Sequence, residues 1–209
     1  MLLFIRNNSV SIKVSQKFAF DIGFTEKIHS AFVAGFLNAL SSFSFVKIKD
    51  LIFAVEHGGD IVQSMDPAAS RVMFSSLDAL ESLRTSAPIL QHLLTIPRSS
   101  ATGVIFPSLT RLILVQISET SGLEQSVLRA FFQNIKSKFE LAPQAADFCL
   151  DLYAPANELK NCDLRFLEEY DGLKVIWGDR PFWGRRKEMK YVCGSGNPEV
   201  LNFKIQQVA

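Results

Sequence analysis

The run Phe106-Pro107-Ser108-Leu109-Thr110-Arg111-Leu112-Ile113-Leu114 constrains this chain more than any other feature. Leu109, Leu112 and Leu114 follow the spacing apolar-x-x-apolar-x-apolar. The first leads the chain into a short strand. The other two, two residues apart, project to the same side of it. One such unit cannot bury its apolar side alone and must stack on a neighbour of the same kind.

The same spacing, or a near fit to it, recurs. Val10, Ile12 and Val14 alternate in a first segment. Ile48, Leu51 and Phe53 form a second, continued by Val55. Leu77, Leu80 and Leu83 give a distorted third. Ala145, Phe148 and Leu150 follow the central unit, continued by Leu152, and Tyr170, Leu173 and Val175 come last. Successive starts are about 25 to 40 residues apart, the range of long strand-plus-helix repeats.

Helical patterns fill the intervals. Thr25 can cap a helix with Ile28, Phe32, Phe36 and Leu40 inward. Asp66-Pro67 is a helix start, with Val72 and Met73 following on one face. Ser86 or Ala87 opens a helix through Ile89, Leu90, Leu93 and Leu94 that stops before Pro97. Leu123, Val127, Leu128, Phe131, Phe132, Ile135 and Phe139 make a long stripe from Gly122 to Phe139. Asn157 to Tyr170 reads as a last short helix with Leu159, Leu164 and Leu167 inward.

Strand alternating with helix at this period predicts parallel strands joined by crossovers. A doubly wound sheet and a one-sided solenoid both satisfy it. The repeated spacing, and the lack of a Gly-rich turn after the first strand, favour an α/β fold of the second kind. The expected form is an irregular leucine-rich-repeat-like solenoid, with parallel strands on one face and helices on the other. Residues 1–179 read as one domain of that kind, and residues 180–209 as an irregular C-terminal tail.

Composition narrows the function classes. Hydrophobic residues make up 48% and charged residues 21%, which suits a folded chain rather than a disordered one. The 18 Phe are read as core filling. A net charge of +1 makes no global case for nucleic acid or an acidic membrane, and neither is expected as a partner. Three Cys are an odd number and too few for a secreted disulfide framework, so a reducing compartment, cytoplasmic or nuclear, is expected. The apolar start of the chain is too short for a signal peptide. The stretch from Ala31 to Phe45, broken by Asn38 and serines, predicts a buried helix rather than a membrane span.

The residues from Met73-Phe74-Ser75-Ser76-Leu77 through Leu80, Leu83-Arg84-Thr85, Ile89-Leu90-Gln91 and Leu94, then Phe106 to Leu114, carry a family resemblance. Phe148-Cys149-Leu150-Asp151-Leu152, Cys162, Leu164, Leu167-Glu168-Glu169 and Val175-Ile176-Trp177-Gly178-Asp179 continue it. Together they resemble the C-terminal leucine-rich region of the F-box-like proteins of mushroom-forming fungi. That resemblance implies the target-binding half of a ubiquitin-ligase adaptor. No F-box is legible before residue 45. Target binding is therefore what carries over, and docking on the ligase core is expected only if an F-box is supplied upstream. A truncated or degenerate relative with a purely structural role is the alternative.

Candidate catalytic groups are sparse. Glu56-His57-Gly58-Gly59-Asp60 has the look of an oxyanion loop, but no Gly-x-Ser-x-Gly elbow accompanies it. Gly194-Ser195-Gly196 lacks the spacing and falls outside any expected strand-to-helix turn. An α/β hydrolase is accordingly the weakest alternative, and no enzyme activity and no cofactor are expected. Cys149 and Cys162 form no C-x-x-C pair, and His29, His57 and His92 fall in separate units, so no metal site is expected. Arg180, Arg185, Arg186, Lys187 and Lys190, interleaved with Phe182, Trp183 and Tyr191, read as a solvated tail.

The remaining candidate is the concave sheet face, where residues between the inward positions point outward. Lys13, Asp50, Ile52, Arg111, Ile113, Asp147, Lys174 and Ile176 are the expected partner-binding residues, with Ser11 and Cys149 on the same surface. Aliphatics beside charges suit a protein ligand. Arg111 is expected to point freely to solvent, so that Arg111→Glu leaves the fold intact.

Overall fold

A computed structural model describes residues 2–6, 9–15, 18–23, 32, 35, 36, 39, 47–55, 70, 74, 75, 77–96, 106–115, 122–141, 148–153, 159, 162–178 and 188–204. Parallel strands alternate with helices, so the fold is α/β. By its contacts the chain divides into two compact units, 1–109 and 110–209, and each is described by itself.

In the first unit, β1 (Leu2–Arg6), β2 (Ser9–Ser15) and β3 (Phe18–Gly23) form an antiparallel meander. β1 then pairs in parallel with β4 (Asp50–Val55), and β4 with β5 (Ser82–Ser86). The segment Val10-Ile12-Val14 is thus a strand, but an antiparallel hairpin partner rather than a first parallel repeat. The short connections between β1, β2 and β3 are the physical reason. Only antiparallel strands close with so few residues, whereas parallel ones need a crossover of a dozen or more.

The inward positions are mostly those expected. Leu51 and Phe53 on β4, and Leu83 on β5, are buried. Cα register pairs Leu51 with Leu83 and Phe53 with Thr85. The third unit therefore runs Leu80-x-x-Leu83-x-Thr85, one step later than the spacing of leucines suggests. A buried threonine fills its last position. Phe74 sits 5.6 Å from Phe53 and 6.3 Å from Phe106, extending this core. Phe106 has a left-handed backbone (φ 55°), a costly conformation for a side chain with a Cβ. Burial of its ring and the turn closed by Leu109 N–H on the Phe106 carbonyl (3.0 Å) hold it there.

α1 (Ala87–Thr95) forms where the sequence places it. Ser86 is an extended N-cap, and Pro88 sits in the first turn, where a missing N–H costs nothing. The helix ends at Ile96, extended as the residue before Pro97 must be. Ala87, Ile89, Leu90 and Leu93 face the core, while Leu94 is only half-buried. Residues 32, 35, 36 and 39 are helical. Phe32, expected inward, is 37% exposed and stacks on Phe36 at 6.1 Å. Rings four apart on a helix lie on one face and cover one another in this way. The helix start at Asp66-Pro67, and Val72 and Met73, lie outside the described residues.

In the second unit β6 (Arg111–Val115), β7 (Cys149–Tyr153) and β8 (Lys174–Trp177) are parallel neighbours. Leu112, Leu150 and Val175 share one row across them, as do Leu114 and Leu152, and all are buried. The fifth segment is thus in phase at Leu150 and Leu152, two residues beyond the expected start. α2 (Gly122–Leu141) lays Val127, Leu128, Phe131, Phe132 and Ile135 inward. Phe131, Phe132, Phe139, Phe148 and Tyr170 form an aromatic cluster with ring centroids 5.2–6.5 Å apart.

Among the described residues of the expected helix from Asn157 to Tyr170, helical structure is a 3-10 turn at Arg165–Glu169, and Leu159, Leu164 and Leu167 are buried. Extended pairing stops it from starting earlier. Asp163 bridges to Asn202, Leu164 N–H donates to the Leu201 carbonyl (3.0 Å), and Phe203 N–H to that of Cys162 (3.0 Å).

Those contacts also correct the tail. Within residues 180–209, Met189–Val192 form β9, antiparallel to β8, and Pro198–Leu201 a second 3-10 turn. Tyr191, Cys193, Leu201 and Phe203 are buried, with Phe203 edge-on to Trp177 at 5.3 Å. Arg165 fastens the two turns, gripping Asp163 with Nε (3.0 Å) and Nη2 (2.8 Å) and Glu199 with Nη1 (3.0 Å). Gly194-Ser195-Gly196 does lie between a strand and a helical turn, contrary to expectation. It closes a tight turn with Gly194 at φ +84° and Ser195 exposed, and it still lacks the elbow spacing.

Candidate functional site

Side chains that alternate with the buried rows stand on the outer face of each unit's sheet. In the second unit, register brings Arg111, Cys149, Lys174 and Val192 into one row, and Ile113, Asp151, Ile176 and Lys190 into the next. Arg111, Lys174, Lys190 and Val192 are exposed. Ile113, Cys149 and Ile176 are half-buried. Four of the expected binding residues, Arg111, Ile113, Lys174 and Ile176, are thus neighbours on one surface. Asp147 lies outside the described residues, as do the Glu56–Asp60 loop and the basic run from Arg180 to Lys187.

In the first unit Asp50 pairs with Ser82, and Ile52 with Arg84, on the outer face of β4 and β5. Asp50 is exposed and Ile52 half-buried. The backbone of Lys13 lies opposite Leu2, and Leu2 opposite Ile52, so the three occupy one register row.

Asp151 was not anticipated. It occupies an outward position on β7, yet its side chain is only 1% exposed. Ile113 and Ile176 stand on either side of it in the row. Arg111 reaches across from β6 and donates from Nη2 to Asp151 Oδ2 at 3.0 Å. The Arg111 side chain, 49% exposed, is therefore an ion-pair partner and not a free solvent group. Arg111→Glu is therefore expected to disturb the fold rather than spare it, because it would set a carboxylate against a buried carboxylate. The sequence signal was present: acidic Asp151 interrupts an otherwise apolar strand, Cys149-Leu150-Asp151-Leu152-Tyr153.

Cys149 sits between Arg111 and Lys174 in its row. Partial burial pushes its thiol pKa up, although both cations pull the other way. Burial raises the Cys193 thiol further, to about 12, helped by Glu168 and Asp171. Cys162 is buried too. All three cysteines are free thiols, held as poor nucleophiles where burial raises the pKa. Among the described residues no three His, Cys, Asp or Glu side chains gather to hold a metal. No helix among them is long and apolar enough to cross a membrane.

Among the described residues of the first unit, one serine–histidine pair is formed. Ser70 Oγ lies 3.0 Å from His92 Nε2. That distance would serve a nucleophile and its base. Ser70, however, is fully buried, so no substrate carbonyl reaches its oxygen in this state. The pair instead ties the helical residue Ser70 to α1. Burial lowers the His92 pKa, so the folded state holds a neutral ring.

A pH dependence follows. As pH falls through the ordinary histidine value of about 6.5, the unfolded chain takes up a proton that folded His92 refuses. Stability contributed by the neutral ring is thus complete above that value. It declines below it until the lowered pKa is reached. The urea midpoint of the wild type should fall more between pH 7.5 and pH 5.5 than that of His92→Gln. Equal losses in the two proteins would show that His92 titrates alike in both states.

No protein-family model, curated protein or solved structure matches this chain.

Proposed function

We propose that this chain is a non-catalytic protein-recognition module, with the outer face of β6, β7 and β8 as its binding surface. The observation that carries the reading is the mixture on that face: half-exposed Ile113 and Ile176 amid exposed Arg111 and Lys174. Aliphatics bordered by charge, on a rigid sheet, suit a protein partner. Buried rows that run across parallel strands, Leu112 with Leu150 and Val175 and Leu114 with Leu152, support the finer fold reading, an irregular leucine-rich-repeat-like solenoid. With the sequence resemblance, this makes the module akin to the target-binding region of an F-box-type adaptor. It meets the ligase core only through an F-box placed upstream. Free thiols at Cys149, Cys162 and Cys193 fit a reducing, intracellular setting.

The test is quantitative co-purification from the native cell of the wild type and an Ile113→Ser/Ile176→Ser variant. Matched circular dichroism and melting of the two proteins establish that both fold. Proteins enriched by the wild type should be lost from the variant. An unchanged set would place recognition elsewhere or remove it. Fusing an F-box to the N-terminus should add the ligase core to the set, and its recovery without the fusion would contradict the division of roles.

A further inference from the structure

We draw no further inference here: the strongest candidate, the outer edge of β9 with Met189 and Val192 exposed beside it, is the end of the sheet among the described residues, and nothing in the structure shows what covers it.

Discussion

Phe132→Ala is expected to destabilise the protein by about 3–5 kcal/mol, the range for aromatic truncation in a packed core. Phe132 is fully buried at the centre of the second unit's aromatic cluster. Its ring lies 5.2 Å from Tyr170, 5.5 Å from Phe131 and 5.9 Å from Phe148. Aromatic pairs contribute roughly 0.5–1.5 kcal/mol beyond the area they bury, so the loss removes several such contacts at once. For a domain of ordinary stability, about 5–15 kcal/mol, this is a large share of the total. Urea unfolding should show a lower midpoint. Phe166→Ala should cost less, because Phe166 is half-buried beneath the Arg129 guanidinium, 4.3 Å from its ring centre. Should the two truncations cost the same, Phe132 would not be the centre of that core.

The second large effect is at the Arg111–Asp151 pair, and it should be asymmetric. Arg111→Ala takes the guanidinium away from a buried carboxylate, a loss of about 1–3 kcal/mol for a buried acceptor that gives up a hydrogen bond. Asp151→Leu leaves a half-exposed guanidinium that water can hydrate, and puts an aliphatic between Ile113 and Ile176. Its cost should be smaller. The double variant Arg111→Leu/Asp151→Leu should stand closer to the wild type than Arg111→Ala does, since it leaves no buried carboxylate behind. Arg111→Glu should be the worst of the set, because it sets two carboxylates together. A double-mutant cycle from chemical unfolding measures the coupling directly. Additive costs, with no coupling, would mean that the 3.0 Å contact contributes nothing to the folded state.

Much of the framework was readable in advance, because periodicity reports which side of an element meets the core. The helix opened by Ser86, the long stripe of α2 and the strand at Leu112 all came from spacing alone. Register was less legible. A threonine can fill an inward position, as Thr85 does, and a template built on leucines then slips to Leu77. The segment at Leu150 and Leu152 slipped for the opposite reason, since Phe148 just before the strand is also buried. In the face residues, spacing identified which side chains point outward but could not show that one of them, Asp151, is covered by its neighbour's guanidinium.

By itself, then, the sequence determined the class of element and the buried residues wherever apolar side chains recur at a helix or strand period, since those periods are local properties of the backbone. Only the tertiary structure decided how strands pair and which polar groups meet. The N-terminal strands run antiparallel, β9 closes against β8, and Tyr191 and Phe203 enter a core that no repeat announces. It also decided that Arg111 answers to Asp151, forty positions along the chain. Pairing depends on what lies across a gap of about 4.8 Å in space, and distance along the chain carries no record of that.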